Sequence, residues 1–342
     1  MDLPVIWFGL VAVLWVGYLV LEGFDFGVGM LLHTLPRDRR ERRVMINTVG
    51  PVFDGNEVWL ITAAGAMFAA FPEWYATTFS AYYLPLLLVL VALIVRNVGF
   101  EFRHKRPDLA WQRRWEWAIA AGSVVPAVVW GVLLAGLVGG IPIDADAVYV
   151  GGLAELFTPY ALLGGLVTST LFLTHGALFT ALKTVGPLRH RARALALRLG
   201  AVAGTSLTAL VLWTSMAHSD TVLTLVTGGL SVAALSLGLL AAWLGREGWA
   251  FTGTSVAVAA LVGTLYVTLF PNVVVSSLDP AWNLTIADAS STPYTLTIMT
   301  VVSVVALPVI IGYQAWTYWV FRKRLGTHHM PDDELVAAGR GA

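Results

Sequence analysis

Nine long apolar stretches, separated by short polar segments, constrain the fold of this chain more than any other feature. Each is about 20 residues or longer, which is the length a helix needs to cross the hydrocarbon core of a membrane. The composition agrees, since 12% of the residues are charged, against about 25% in soluble domains. We therefore predict an all-α polytopic membrane protein. The predicted spans cover residues 5–32, 52–71, 76–98, 115–138, 156–182, 192–217, 222–244, 249–270 and 293–321.

The segments between the spans are too short to hold a second folded unit. We predict one transmembrane domain over residues 1–342, which ends in a short polar tail at 322–342. Neither a Walker-type phosphate loop nor a dinucleotide-binding glycine motif occurs in the sequence, which excludes ATP-driven transport by this chain alone. Lys and Arg number 21, as do Asp and Glu. The basic excess of nucleic-acid-binding proteins is absent, so we predict no nucleic-acid partner.

Basic residues all fall on one predicted side of the membrane. The odd-numbered loops, the span ends beside them and the tail carry all 21, namely Arg37, Arg39, Arg40, Arg42, Arg43, Arg96, Arg103, Lys105, Arg106, Arg113, Arg114, Lys183, Arg189, Arg191, Arg193, Arg198, Arg246, Arg322, Lys323, Arg324 and Arg340. The N-terminus and the even-numbered loops carry acids instead, namely Asp2, Glu73, Asp144, Asp146, Glu155, Asp220, Asp279 and Asp288. Because Lys and Arg concentrate in cytoplasmic loops, we predict an outside N-terminus and a cytoplasmic C-terminus. The pattern requires an odd number of spans, which favours nine over eight.

Four acidic residues interrupt the first two predicted spans. Glu22 and Asp25 lie in the first span, and Asp54 and Glu57 lie in the second. The i,i+3 spacing of each pair places both carboxylates on one helical face. An acid at the bilayer centre costs about 2.5–3.5 kcal/mol on insertion scales, and such acids usually have a function. We therefore interpret these four residues as a candidate proton path or ion site.

The depth of the second pair depends on where its helix begins. Asp25 lies 12 residues before Arg37, and Asp54 lies 11 residues after Arg43. Continuous helices would place both acids about 16–18 Å from the basic residues, where the two pairs could face each other across a helical hairpin. Alternatively, Pro51 is the first residue of the second helix. Both acids of the second pair would then lie near the surface, at a helix N-terminus that favours negative charge.

Other residues near the first acidic pair add to this interpretation. Arg96, at the cytoplasmic end of the third predicted span, could extend to the membrane surface or pair with one of the acids. Gly23, Gly27 and Gly29 surround Asp25. The spacing of the first two glycines is a small-xxx-small pattern, which is typical of closely packed membrane helices.

The histidines do not form a recognisable cofactor site. His33 and His175 lie within predicted spans and His218 lies at an outer end, but no two are spaced as the facing axial ligands of a haem would be. The sequence contains no Cys, which excludes thiolate-bound metals and iron–sulfur clusters. We predict no haem iron ligand, no metal site and no catalytic residue in this chain.

Several segments are similar to a known family. Residues 22–31, 42–47, 54–63 and 96–103 resemble the first helices of subunit II of cytochrome bd-type quinol oxidases. Residues 284–286, 288–291 and 295–300 resemble the segment that leads into the last helix of that subunit. The resemblance spans the chain but is specific in the first 105 and the last 60 residues or so, and the middle agrees mainly in the number of spans.

This resemblance implies an obligate partner, subunit I, which carries two haems b, one haem d or b, and the quinol site. The complex would oxidise quinol and reduce dioxygen to water in the bacterial plasma membrane, with protons taken from the cytoplasm. The acid at Asp54 would belong to a proton path, and Asp25 similarly. Glu57 replaces an amide that is common in the family, and Glu22 replaces a shorter acid. Some members also hold a structural quinone in this subunit or bind small single-helix accessory subunits, and lipid would surround the complex.

Two other interpretations are compatible with the residues alone. Acids within the membrane also suit a proton-coupled secondary transporter. However, the sequence contains no evident inverted repeat and no pair of interrupted helices, which many such transporters have. The chain could also be a purely structural membrane partner.

Overall fold

The computed structural model describes residues 2–219 and 221–330. Asp220 and residues 331–342, which include Arg340 and most of the predicted tail, lie outside the described residues. Two strands are present, β1 at Asn272–Val274 and β2 at Leu284–Thr285. The helices are α1 Leu3–Met30, α2 Arg39–Val49, α3 Phe53–Ala70, α4 Pro72–Ala81, α5 Tyr83–Phe102, α6 Leu109–Gly139, α7 Pro159–Lys183, α8 Pro187–Ala217, α9 Val222–Trp243, α10 Glu247–Leu269, α11 Ile286–Ala289 and α12 Pro293–Val320.

Eight helices in the described part of the chain are long and apolar enough to cross a membrane. They are α1 with its short 3₁₀ extension, α5 to α10, and α12. A polytopic helical membrane protein is therefore confirmed. Helix α3 is a further long helix of 18 residues, but it is less apolar because Asp54, Asn56 and Glu57 occupy its first turns.

Helix α1 lies at the centre of the bundle, where it packs against α3, α6, α7 and α10. Glycines allow its close approach to α7. A Cβ atom added at Gly27 would overlap the carbonyl oxygen of Phe172, and one added at Gly176 would overlap the backbone of Gly27. Since small residues let helix backbones approach closely, this contact places the acids of α1 in the protein interior rather than against lipid.

The third predicted span, residues 76–98, corresponds to two helices. Helix α4 ends at Ala81 and α5 begins at Tyr83. Pro85 has no N–H group, so it cannot donate to the carbonyl oxygen of Ala81 and continue the helix across this point. Hydropathy alone does not detect this break, because the residues on both sides are apolar.

Two elements depart from a bundle made only of spans. Strand β1 pairs antiparallel with β2 between α10 and α12, and this short sheet is the exception to the all-α prediction. The two strands pair backbone N–H and C=O groups that lie outside the helices in the connection between α10 and α12. The first loop contains the amphipathic helix α2, whose N-cap Asp38 accepts a hydrogen bond of 2.8 Å from the Glu41 backbone N–H.

Three glutamates join the connections that carry the basic residues. Glu116 on α6 forms ion pairs with Arg103 at 2.6 Å and with Arg42 of α2 at 3.0 Å. Glu247 at the start of α10 forms an ion pair with Arg189 of α8 at 2.8 Å. Glu41 pairs with Arg191, and Arg324 of the tail lies 3.7 Å from Glu247. These ion pairs bring together the connections that lead into α3, α6, α8 and α10 and the start of the tail. Those four connections are the odd-numbered loops of the sequence prediction.

Candidate functional site

Arg96 and Glu22 form a fully buried ion pair between α5 and α1. The Nη1 atom of Arg96 donates to the Oε1 atom of Glu22, and both side chains are 0% exposed. The rings of Phe26 and Phe100 flank the guanidinium, with centroids 4.9 and 5.3 Å from its central carbon, within the range of cation–π attraction. Arg96 therefore pairs with an acid rather than extending to the membrane surface.

Part of this ion pair has no hydrogen-bond partner among the residues that the structure describes. Among the described residues, no group hydrogen-bonds to Arg96 Nε, Arg96 Nη2 or Glu22 Oε2. Buried polar atoms in proteins are almost always satisfied, and water is a common partner. The two Arg96 nitrogens can therefore donate to water, and Glu22 Oε2 can accept from water or bind a proton.

Asp25 is fully buried one helical turn from Glu22. Its Oδ2 atom accepts a hydrogen bond of 2.7 Å from the Nδ2 atom of Asn56 on α3. The Oδ1 atom of Asn56 accepts from Gln314 Nε2 at 2.9 Å and from the hydroxyl of Tyr318 at 2.8 Å, and both donors lie on α12. The Asn56 amide therefore links Asp25 on α1 to two residues of α12 that lie about 260 positions further along the chain from Asn56.

The second predicted pair divides between two environments. Glu57 is half-buried and accepts a hydrogen bond from the Nδ2 atom of Asn97 on α5. Asp54 is exposed in the first turn of α3. Its position corresponds to the alternative in which α3 begins near Pro51, although α3 in fact begins at Phe53.

The structure favours the second of the two alternatives for Asp54. A depth of about 16–18 Å requires the residues between Arg43 and Asp54 to form one continuous helix. Most of them belong instead to α2, which is a separate helix that ends at Val49. Asp54 consequently does not contact Asp25, and Asn56 occupies the position facing that acid.

The arrangement brings several acids into one electrostatic environment with a graded exposure. Asp54 is exposed, Glu57 is half-buried, and Glu22 and Asp25 are fully buried. Glu22 interacts electrostatically with Arg96, Glu57 and Asp54. Carboxyl groups bind and release protons, so this series contains the chemical groups that a proton path requires.

The site also contains three amides and a tyrosine that were not predicted from the sequence, namely Asn56, Asn97, Gln314 and Tyr318. A signal was present for two of them, since Gln314 and Tyr318 interrupt an apolar span with i,i+4 spacing, which places them on one face of α12. Nothing in the sequence indicates that this face meets α3.

His175, the fully buried histidine within the bundle, does not fit the axial ligand of a haem. His175 is fully buried, and its ring nitrogens lie 2.7 Å from Thr254 Oγ1 and 3.2 Å from the carbonyl oxygen of Val20. Both positions that could bind iron are therefore occupied by groups of the same chain. The ring of His33 stacks on Trp117 at 3.9 Å. Within the described ranges, no three His, Asp or Glu side chains are grouped as a metal site would require.

Comparison with known proteins identifies the family. The model of the family described as cytochrome bd terminal oxidase subunit II matches residues 3–321. The chain belongs to this family. It is 44% identical to cytochrome bd ubiquinol oxidase subunit 2 of Bacillus subtilis over 333 residues, which cover 95% of this chain and 97% of that protein. It is 38% identical to cytochrome bd-I ubiquinol oxidase subunit 2 of Escherichia coli, over 92% of this chain and 93% of that protein.

The fold also matches a solved structure of a bd oxidase. A chain in the structure of bd oxidase from Geobacillus thermodenitrificans superposes with a TM-score of 0.75 and 19% identity, over 94% of this chain and 99% of that chain. Membership of the subunit II family makes this chain a membrane subunit of an oxidoreductase complex and implies a subunit I partner. The resemblance inferred from the sequence is confirmed, and the transporter interpretation is not supported.

Proposed function

We propose that this chain provides structural support and a cytoplasmic proton path for a quinol oxidase in the bacterial plasma membrane. In the complex, two quinols reduce one dioxygen to two waters, and the protons consumed with dioxygen must reach a buried site. Subunit I would carry two haems b, one haem d or b, and the quinol site. This chain would contribute no iron ligand, in agreement with the occupied nitrogens of His175.

The observation that carries the proton path is the decreasing exposure of the acids from Asp54 through Glu57 to Asp25 and Glu22. A proton does not cross dry hydrocarbon unaided, because a charge there is strongly disfavoured. Carboxyl groups at increasing depth avoid this cost by carrying the proton in neutral form. Asp54 would take up protons at the surface, and Glu57 would pass them toward the buried pair.

The charge balance of the buried group supports the same role. Glu22 and Asp25 face one buried cation, Arg96, which cannot lose its proton in a protein. Because an uncompensated charge is costly in this environment, the neutral state of the group has one acid ionised and the other protonated. The cluster would therefore store one transferable proton.

The proposed topology has nine spans, with α3 as the second, an outside N-terminus and a cytoplasmic C-terminus. It is supported by the ion pairs that gather the odd-numbered connections, such as Arg42 with Glu116 and Arg189 with Glu247. Basic connections on one side are typical of cytoplasmic loops. All nine spans would form one domain.

Helix α12 also offers a surface for further partners. Helix α12 exposes apolar side chains such as Val304 and Val309, each 69% exposed. Such a surface suits lipid or a small single-helix accessory subunit. A structural quinone in this subunit would be a further ligand, as in some members of the family.

The test uses the complex purified with its partner. We expect Asp54→Asn to lower quinol-driven oxygen uptake at least about tenfold, since an amide cannot titrate, while haem absorbance stays unchanged. Asp54→Glu should retain part of the activity. Asp146→Asn is the matched control, because Asp146 is exposed in the connection between α6 and α7.

The competing explanation is that Asp54 only stabilises the start of α3. An acid in the first helical turn contributes about 0.3–1 kcal/mol through the helix dipole. Its replacement by Asn would then have little effect on turnover. Wild-type uptake by the Asp54→Asn complex would refute the proton path.

A further inference from the structure

Helix α12 is weakly packed but reaches the most buried part of the site. Among the residues that the structure describes, Leu296 is the one buried residue of α12. Gln314 and Tyr318 nevertheless both donate to Asn56 Oδ1, at 2.9 and 2.8 Å. Asn56 is fully buried and lies between these donors and Asp25. The C-terminal half of α12 is thus hydrogen-bonded to α3 through the side-chain amide of Asn56.

Four hydrogen bonds use the whole capacity of that amide. Besides the two that Asn56 Oδ1 accepts, its Nδ2 atom donates to Asp25 Oδ2 at 2.7 Å and to the carbonyl oxygen of Leu21 at 3.3 Å. A primary amide has two N–H donors and one oxygen with two lone pairs. Because a backbone carbonyl can only accept, the Leu21 contact requires the nitrogen of the amide to face α1.

This orientation makes the two oxygens of Asp25 inequivalent. Oδ2 receives the hydrogen bond from Asn56, whereas Oδ1 is buried without a partner among the described residues. Resting on the proton path described above, we propose that Gln314 and Tyr318 are positioning residues. They hold the Asn56 amide so that it donates to Oδ2, and Oδ1 is then the oxygen of Asp25 that takes up and releases protons.

The effect of the hydrogen bond from Asn56 on the protonation of Asp25 depends on the other titratable groups around that acid. The titratable groups that face it are Glu22 on α1, Glu57 on α3, Arg96 on α5 and Tyr318 on α12. A hydrogen bond donated to a carboxylate favours its charged form. Without the donors on α12, the buried Oδ1 atom of Asn56 is unsatisfied and the amide is held through Leu21 and Asp25 alone. Its hydrogen bond to Asp25 is then weaker, and proton release from Asp25 loses this support.

The test compares variants of α12 in the purified complex with its partner, supplied with a soluble quinol. The double variant Gln314→Met and Tyr318→Phe removes both donors with little change of shape. We expect its oxygen uptake at neutral pH to fall about tenfold, with the pH profile displaced about one unit toward alkaline pH, which is the effect of losing one hydrogen bond to a charged group. Tyr318→Phe alone should produce a smaller displacement in the same direction.

Tyr313→Phe is the matched control, since Tyr313 also lies on α12 and is 62% exposed. It should leave both the rate and the pH profile unchanged. Haem absorbance and copurification of the partner report assembly, and the single Tyr318→Phe variant decides the question if the double variant does not assemble. Unchanged rates and profiles, or lower rates with an unmoved profile, would overturn the positioning role.

Asp25→Asn, measured in the same series, separates this inference from the proposed function. An inactive Asp25→Asn complex together with wild-type behaviour of both α12 variants would overturn only the positioning role. Wild-type uptake by Asp25→Asn would overturn the role of Asp25 in the proton path and this inference with it.

Discussion

The buried ion pair between Glu22 and Arg96 makes a sharp prediction about stability. Both side chains are 0% exposed, and Arg96 Nη1 makes the one ion-pair contact of this group in the described chain. Removal of one partner from a buried pair typically costs about 3–5 kcal/mol. We expect Glu22→Leu to cost about 3 kcal/mol, the lower end of that range, because Asp25 remains close enough to interact with Arg96. At 1.36 kcal/mol per tenfold change, the equilibrium constant for folding falls by a factor of about 160.

The two single variants, Glu22→Leu and Arg96→Met, should differ in their loss of stability. Arg cannot neutralise itself by losing a proton, whereas the acids left by Arg96→Met can become neutral by gaining one, so Arg96→Met should cost less than Glu22→Leu. The double variant should approach wild-type stability, because replacing a buried pair with apolar residues is often neutral or stabilising.

The assay is denaturation of the purified complex by sodium dodecyl sulfate in mixed micelles. Glu101→Leu serves as the control, since Glu101 is exposed and surface substitutions usually change stability by less than about 0.5 kcal/mol. The reasoning is refuted if Glu22→Leu unfolds at the same detergent concentration as wild type, or if the double variant is as unstable as Glu22→Leu.

Two further predictions concern topology and packing. A reporter fused after Lys323 should be cytoplasmic and one inserted near Asp146 should be external, and the opposite location at either site would contradict the nine-span topology. Gly27→Val should prevent accumulation of the complex in the membrane, because the new Cβ would overlap the carbonyl oxygen of Phe172. Gly9→Val should accumulate normally, since a Cβ there has nothing within 4 Å, and equal membrane levels of the two variants would contradict the packing argument.

Much of the architecture could be predicted from the sequence. Hydropathy and charge are local properties, so the apolar stretches and the one-sided basic residues predict membrane helices and an orientation without knowledge of their packing. The segments that resemble subunit II, among them the one around Asp25, predicted the family, which the comparisons confirm. The short sheet of β1 and β2 and the break at Tyr82 were not predicted, because a few backbone hydrogen bonds leave no signal in hydropathy.

The composition of the site was only partly predictable. The sequence identified Glu22, Asp25, Asp54 and Glu57, because a charged residue within an apolar span is conspicuous. It left open whether Arg96 reaches the surface, and tertiary packing decided this, since the arrangement of α1 and α5 buries Arg96 against Glu22.

By itself, the sequence determined that this chain spans a membrane, which residues are costly to bury there, and to which family it belongs. Only the tertiary structure decided that Asn56, rather than Asp54, meets Asp25, and that α12 orients this amide through Gln314 and Tyr318. The physical reason is the difference between the two kinds of information. The cost of burying a group depends on its own chemistry, whereas its partner depends on where helices begin and on contacts between residues up to 262 positions apart.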